Sequence, residues 1–291
     1  DSYINYVAEF ESYGSIPNVQ EVYEISLLKK NKEIDNDAII VNGNSGDFIS
    51  GGHVNSIVNI KDTAHSIDEI NWDKFLHKHY SLWNYLRVNS NDAYIVSELK
   101  SMIPTIFTDM GNVRDSQYAI MESLECIGRQ SRIVIGQQRT YDYFGYEWRL
   151  PFWSDEMLNF WEGIPCKYKV DQGLYIEALR ENNWGNVWSD IKVNDKKIKP
   201  YTLRLIRMLF KFLFIPLGKL KWYRFEKNVF EYFMHPSYAL TVEPYFKILL
   251  DYRGYRSTNS WLASKMLKNN DIDIDSVILP KTNTKRLYRK I

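Results

Sequence analysis

Cysteine, charge of one sign and long apolar runs are what this 291-residue sequence has least of. Its two cysteines, Cys126 and Cys166, lie far apart and form neither a metal-ligand pattern nor a disulfide framework. They read as reduced thiols in a cytosolic protein. Lys and Arg number 37 against 36 Asp and Glu, a net charge of +1, so no global field draws the chain to nucleic acid. No apolar run reaches spanning length and no stretch reads as a signal peptide, so a cytoplasmic location is expected. Internal repeats and low-complexity linkers are also missing. Length alone admits one large domain or two smaller ones. Tyrosine is frequent, at 21 residues, and packing accounts for it.

The most informative stretch runs from Ala38 to His53. Ala38-Ile39-Ile40-Val41 is apolar without polar alternation, which predicts a strand buried on both faces, as in parallel sheets. It ends in Asn42-Gly43-Asn44-Ser45-Gly46-Asp47-Phe48-Ile49-Ser50-Gly51-Gly52-His53. Gly43 and Gly46 let the backbone turn there, at the strand end where open α/β sheets bind ligands. Asp47 is the one acid in that turn.

Elsewhere the patterning is helical. Val19, Val22, Tyr23 and Leu27 predict a helix over 18–30 that packs on the sheet. Phe75, His79, Leu82 and Leu86 predict another over 72–87. Ser90 or Asp92 can cap a third over 93–103. Tyr118, Met121 and Leu124 predict a helix over 115–128 ending at Gly128, followed by one over about 130–144 ending at Gly145. Ser154 can cap the helix after Pro151-Phe152-Trp153, with Asp155 and Glu156 in its first turn. Glu147 and Arg149, two apart in an extended segment, point to the same side. The pair fixes the turn or serves catalysis. The expected fold is mainly α with a small α/β remnant, residues 1–64 forming a partial sheet region and 65–291 a helical one.

The turn resembles the second signature of the asparagine synthase family, Gly-acid-Gly-x-Asp-Glu followed by an aromatic and Gly-Gly-Tyr. Gly145-Tyr146-Glu147-Trp148-Arg149-Leu150-Pro151-Phe152-Trp153-Ser154-Asp155 resembles that family's Gly-x-Glu-x-Arg-x-Pro-Phe-Leu-Asp block. Ile164-Pro165 and Leu179-Arg180 fall where its Leu-Pro and Leu-Arg pairs would. Asn44 and Phe48 replace acids, His53 replaces a tyrosine, and Ser154 stands where the family has Asp. The family's ATP-binding loop, Ser-Gly-Gly-x-Asp-Ser, should lie farther upstream than the chain reaches, and the chain does not begin with Met. The expectation is a C-terminal part of an asparagine synthase-like (adenine nucleotide α-hydrolase-like) domain.

The resemblance implies an amidotransferase ligase in which ATP and magnesium turn a carboxylate into an acyl-adenylate. Ammonia, free or from a glutaminase domain, or an amine then attacks. Asp47 matches the magnesium-holding Asp, and Gly43, Asn44, Ser45 and Gly46 match positions of the cofactor-binding turn. Glu147 and Lys196 match catalytic positions, with Lys192 and Lys197 close competitors to Lys196. The departures favour a substrate other than aspartate, and a sugar acid in surface-polysaccharide biosynthesis is the first choice.

Three alternatives stand beside this. Gly43-Asn44-Ser45-Gly46 begins like the nucleophile elbow Gly-x-Ser-x-Gly, but Asp47 closes it wrongly and no histidine has an informative context. The chain could be a non-catalytic descendant that binds a partner. The stretch 203–222, with Arg204, Arg207, Lys211, Lys219 and Lys221 among long apolar residues, covers a core or makes peripheral contact with the inner membrane surface.

Overall fold

The structure, a computed structural model, describes residues 20–58, 64, 66–83, 86–103, 113–188, 201–234, 244–251 and 258–272. Among them the chain is mainly α-helical with one two-stranded parallel sheet. It divides into two compact units, Asp1–Ser81 with Arg87–Val193, and Leu82–Leu86 with Asn194–Ile291. Residue 64, the boundary expected from sequence, lies inside the first unit.

The first unit opens with α1, Gln20–Lys30, with Glu21 in its first turn and Lys29 and Lys30 in its last, each complementing the helix dipole. Its buried stripe is Val22 and Ile25, with Leu28 half-buried, whereas Tyr23 and Leu27 face solvent. Strand β1, Ile39–Val41, then pairs in parallel with β2, Glu147–Arg149, in the register Ile39 to Glu147 and Val41 to Arg149. The expected two-sided burial does not occur: Ile39 and Val41 are exposed and only Ile40 packs inward, against Ile25, Tyr141 and Tyr146. Among the described residues each strand has a single paired neighbour, and one face of the ribbon is left exposed.

Short helices α2, Gly46–Ile49, and α3, Val54–Ile57, follow the glycine turn. Helix α4, Asp73–His79, ends at Tyr80, well before the predicted 87. Helix α5, Asn89–Ser101, begins after Val88, earlier than expected and without a side-chain cap. Helix α6, Val113–Glu125, does not stop at Gly128 but continues into a π-helix, Cys126–Val134. Helix α7, Arg139–Phe144, does end at Gly145. There the Tyr146 N–H donates to Tyr141 O and the Gly145 N–H to Asp142 O, with Gly145 at φ 83°, a Schellman motif. Ser154 caps α8, Asp155–Glu162, by accepting from the Met157 N–H. Helices α9, Cys166–Lys169, and α10, Gly173–Asn182, complete the described part of the unit. Its main core gathers Val54, Ile57, Phe75, Leu76, Leu99, Ile120, Met121 and Leu124.

The second unit contains α11, Tyr201–Phe214, α12, Lys219–Val229, α13, Glu231–Met234, α14, Tyr245–Leu250, and α15, Thr258–Asn269. Gly218 turns the chain between α11 and α12, and Phe210, Phe214, Trp222, Phe225 and Phe230 stack in the angle between them.

Gly51 and Gly145 separate two reasons for glycine. Gly51 has φ 96°, and a Cβ there would meet Lys169 O at 2.1 Å; Gly145 has open space around it. Gly51→Ala should therefore cost about 3 kcal/mol or more through a backbone clash added to strain. Gly145→Ala should cost about 1–2 kcal/mol from the left-handed conformation alone. Urea unfolding of both variants measures the difference, and equal losses would refute the packing role of Gly51.

Candidate functional site

The turn after β1 is built from local hydrogen bonds and then locked to distant elements. Asn42 donates through Nδ2 to the Tyr141 hydroxyl at 2.8 Å, and its Oδ1 accepts from the Asn44 N–H at 2.9 Å. Ser45 takes the left-handed conformation, φ 69°. Its hydroxyl donates to Gln130 Oε1 at 2.9 Å and accepts from Trp153 Nε1 at 2.9 Å. Gly46 lies against Phe152, where a Cβ would meet the ring at 2.9 Å. The Asn42 N–H donates to Arg149 O at 3.0 Å, continuing the sheet into the turn. Three residues of the first motif, Asn42, Ser45 and Gly46, thus rest on residues of the second, about a hundred positions downstream.

Asp47 stands past the carboxyl end of β1. Its Oδ1 accepts from the Phe48 N–H at 2.9 Å and its Oδ2 lies 3.2 Å from His53 Nε2. The carboxylate is nevertheless 65% exposed. Hydrogen bonding from His53, opposed by burial and helped by its charge, holds the Asp47 carboxyl below the usual range.

The other nitrogen of His53, Nδ1, lies 2.5 Å from Glu125 Oε1. Glu125 is the centre of a larger cluster. Its side chain has 0% exposure, and His79 Nε2 at 3.3 Å, Lys78 Nζ at 3.5 Å and Arg129 Nη1 at 3.6 Å also face its carboxylate. Gln130 Nε2 donates to Oε1 at 3.3 Å. Burial alone would raise the Glu125 carboxyl, but hydrogen bonds from His53 and His79 and their charges drive it well below the ordinary value. Burial likewise works against the protonated His53, yet the two carboxylates flanking it carry its pKa upward. His79 is held down by burial, which its contact with Glu125 offsets only in part. Desolvation lowers Lys78 to about 8.

The π-helix explains why two residues five apart meet. Hydrogen bonding from i to i+5 brings Gln130 over Glu125, so one polar chain runs Asp47, His53, Glu125, Gln130, Ser45. A second buried pair supports it from below: Lys169 Nζ lies 3.0 and 3.1 Å from the Glu122 carboxylate, to which Tyr118 also donates at 2.7 Å.

The sequence-predicted residues are distributed unevenly over this geometry. Gly43, Asn44, Ser45, Gly46 and Asp47 share the turn. Glu147 does not join them: it pairs with Ile39, at the opposite end of β1, and its carboxylate binds the exposed Arg149 at 2.8 Å. That end lies about 7 Å upstream along the strand. The Glu147–Arg149 pair forms as the spacing predicts, but at the surface. Lys192, Lys196 and Lys197 lie outside the described residues. A hydrolase does not fit, because the Ser45 hydroxyl is tied to Gln130 and Trp153 while both nitrogens of His53 face carboxylates.

Lys78, His79, Glu125, Arg129, Gln130 and Lys169 went unrecognised in the sequence. One signal was available: Glu122 and Glu125 share a helix face with Met121 and Leu124, an unusual place for acids unless they are paired.

Asp47 fits a cation as one ligand, since its exposed oxygens retain lone pairs. Among the described residues no group of three or more His, Cys, Asp or Glu is arranged around a metal. Magnesium commonly takes one or two carboxylates and completes its shell with substrate phosphates and water. Comparisons with protein-family models, curated proteins and solved structures gave no match.

Glu125→Gln should destabilise the protein by about 3–5 kcal/mol at neutral pH, because it strands buried cations. The Glu125 contribution is present above the unfolded carboxyl value and is lost as pH falls through the depressed folded one. The variant's deficit should therefore shrink on acidification. His53 has the opposite sense: its raised pKa stabilises fully below the unfolded value and fades as pH rises through the folded one. His53→Gln should cost more at pH 6 than at pH 9. Urea melts of the three proteins from pH 9 down to about pH 3, below the unfolded carboxyl value, check both signs.

Proposed function

We propose that the chain is the C-terminal part of an asparagine synthase-like synthetase that amidates a carboxylate at the expense of ATP. The observation that carries this reading is the meeting of the two motif blocks. β1 and β2 are parallel neighbours in register, Phe152 fills the space Gly46 leaves, and Trp153 donates to Ser45. Two stretches that resemble one family in order also assemble into one turn, with an acid at the ligand-binding end of the strand.

In this reading a substrate carboxylate oxygen attacks the α-phosphorus of ATP and pyrophosphate departs. Nitrogen, from ammonia, a glutaminase domain or an amine, then attacks the acyl carbon and AMP leaves. Asp47 supplies negative charge for a magnesium ion, which would neutralise charge on the phosphates. His53 orients the Asp47 carboxylate through Oδ2 and is itself fixed by Glu125. Gly43 and Asn44 line the turn that the nucleotide would approach. Lys196 is the cation assigned to the developing charge and Glu147 the remaining acid, with Arg149 closer to the carboxyl end of the strand pair. A sugar acid of surface-polysaccharide synthesis is the preferred substrate.

A second reading, a non-catalytic binding descendant, is favoured by one observation: Asp47 Oδ2 already has a partner in His53 Nε2, at 3.2 Å. Pyrophosphate release separates the two. The gene's full product, given ATP, magnesium, ammonium and a panel of hexuronic and other carboxylic acids, should release pyrophosphate with a matched acid. Asp47→Asn should depress that release by about a hundredfold or more, as expected for losing a strong electrostatic stabiliser. Equal rates would clear Asp47 of a catalytic role. No release with any acid would leave the binding reading.

A further inference from the structure

Helices α11 and α12 bury only one side of an apolar hairpin. At 3.6 residues per turn, Leu203, Arg207, Phe210 and Phe214 fall on one side of α11, and Phe210 and Phe214 stack on Phe225. Arg207 lies over Trp222 and pairs with Glu226. The opposite side is also apolar. Tyr201, Leu205, Met208, Leu209 and Phe212, spaced i, i+4, i+7, i+8 and i+11, are exposed, with Leu209 at 68% and Phe212 at 66%. The hairpin tip adds Ile215, Leu217 and Leu220, the last 85% exposed. A contiguous outward apolar face of this kind marks an interaction surface.

Charge identifies what covers it. From residue 201 to 225 there are six basic residues and no acid. Arg207 is occupied by Glu226, and Arg204, Lys211, Lys219, Lys221 and Arg224 are exposed. Arg204 and Lys211 flank the apolar arc of α11, while Lys219 and Lys221 bracket Leu220 at the tip. Long basic side chains beside an apolar face can lay their stems on it and lift their charges to a phosphate layer. A two-fold dimer would instead bring the basic residues of both copies toward one another. No helix among the described residues is long and apolar enough to cross a membrane, so the face suits a hairpin lying in the interface.

We propose that the outward face of the α11–α12 hairpin docks on an anionic lipid bilayer. Apolar side chains from Tyr201 to Leu220 enter the headgroup boundary and the exposed Arg and Lys residues meet lipid phosphates. This inference is independent of the chemistry assigned to Asp47.

The test is co-sedimentation of the full chain with vesicles of phosphatidylcholine alone or mixed with phosphatidylglycerol, at low and high salt. Binding to the mixed vesicles should exceed binding to the neutral ones by at least tenfold and fall as salt rises. Each exposed basic residue near the surface contributes about fivefold, so Lys219→Gln with Lys221→Gln should weaken binding about twentyfold or more. Leu209→Glu with Phe212→Glu should abolish it. Circular dichroism and thermal melts confirm that each variant is folded; should the apolar variant not fold, the tip variant decides. Equal binding to both vesicle types would overturn the proposal, as would a tip variant that binds like the parent. A stable dimer that fails to sediment with vesicles and dissociates on Leu209→Glu would assign the face to a second copy instead.

Discussion

A carboxylate with no exposed surface cannot stay ionised alone, and the arrangement of the first unit follows from how Glu125 is compensated. Desolvating an ion is costly unless opposite charges and hydrogen bonds replace water. Glu125 draws those from three elements: His53 from the end of the glycine turn, Lys78 and His79 from α4, and Arg129 and Gln130 from the π-helix. Each partner is thereby fixed relative to the others. Asp47 is held at the sheet end through His53, and Ser45 through Gln130. The turn's geometry is thus inherited from a buried charge 72 residues away in sequence.

Close backbone packing supplies the second constraint. Gly51 and Gly46 admit Lys169 O and the Phe152 ring where any side chain would collide. Lys169, itself nearly inaccessible, is retained by the Glu122 carboxylate and the Tyr118 ring, 5.2 Å from its Nζ. Two buried ion pairs, on Glu122 and Glu125, therefore flank the glycine turn from one helix. Their i, i+3 spacing puts both on the same face.

What could be read from sequence was local. The Gly145 helix stop, the Ser154 cap, the strand before the glycine turn and the position of Asp47 all follow from chemistry within a few residues. The extent of strand burial did not, because an apolar run reports preference and not what the rest of the sheet supplies; Ile39 and Val41 remain exposed. Helix boundaries around 72–87 and 115–144 failed for different reasons. The first helix ends at Tyr80 although its apolar spacing continues, and the second changes hydrogen-bond period. Glu125 was hidden because its partners are scattered over the chain, and no short pattern announces a contact of that range. The outward apolar arc of α11 was visible as composition, but which side faced water needed the hairpin.

The nine-residue π segment sets a phase that the rest of the chain inherits. In an α-helix the residue stacked above Glu125 would be three or four places on; here it is Gln130, and Val134 and Gln138 continue the inner face. The segment behaves as a gear with an extra tooth. Removing one residue between Ser131 and Val134 would let the segment relax to the α period without leaving the core. Gln130, still five places after Glu125, would then swing away from it by roughly a quarter turn. The polar chain between Asp47 and Ser45 would break at its middle link, although no residue of the glycine turn had changed. Length in this stretch is therefore under tighter control than composition.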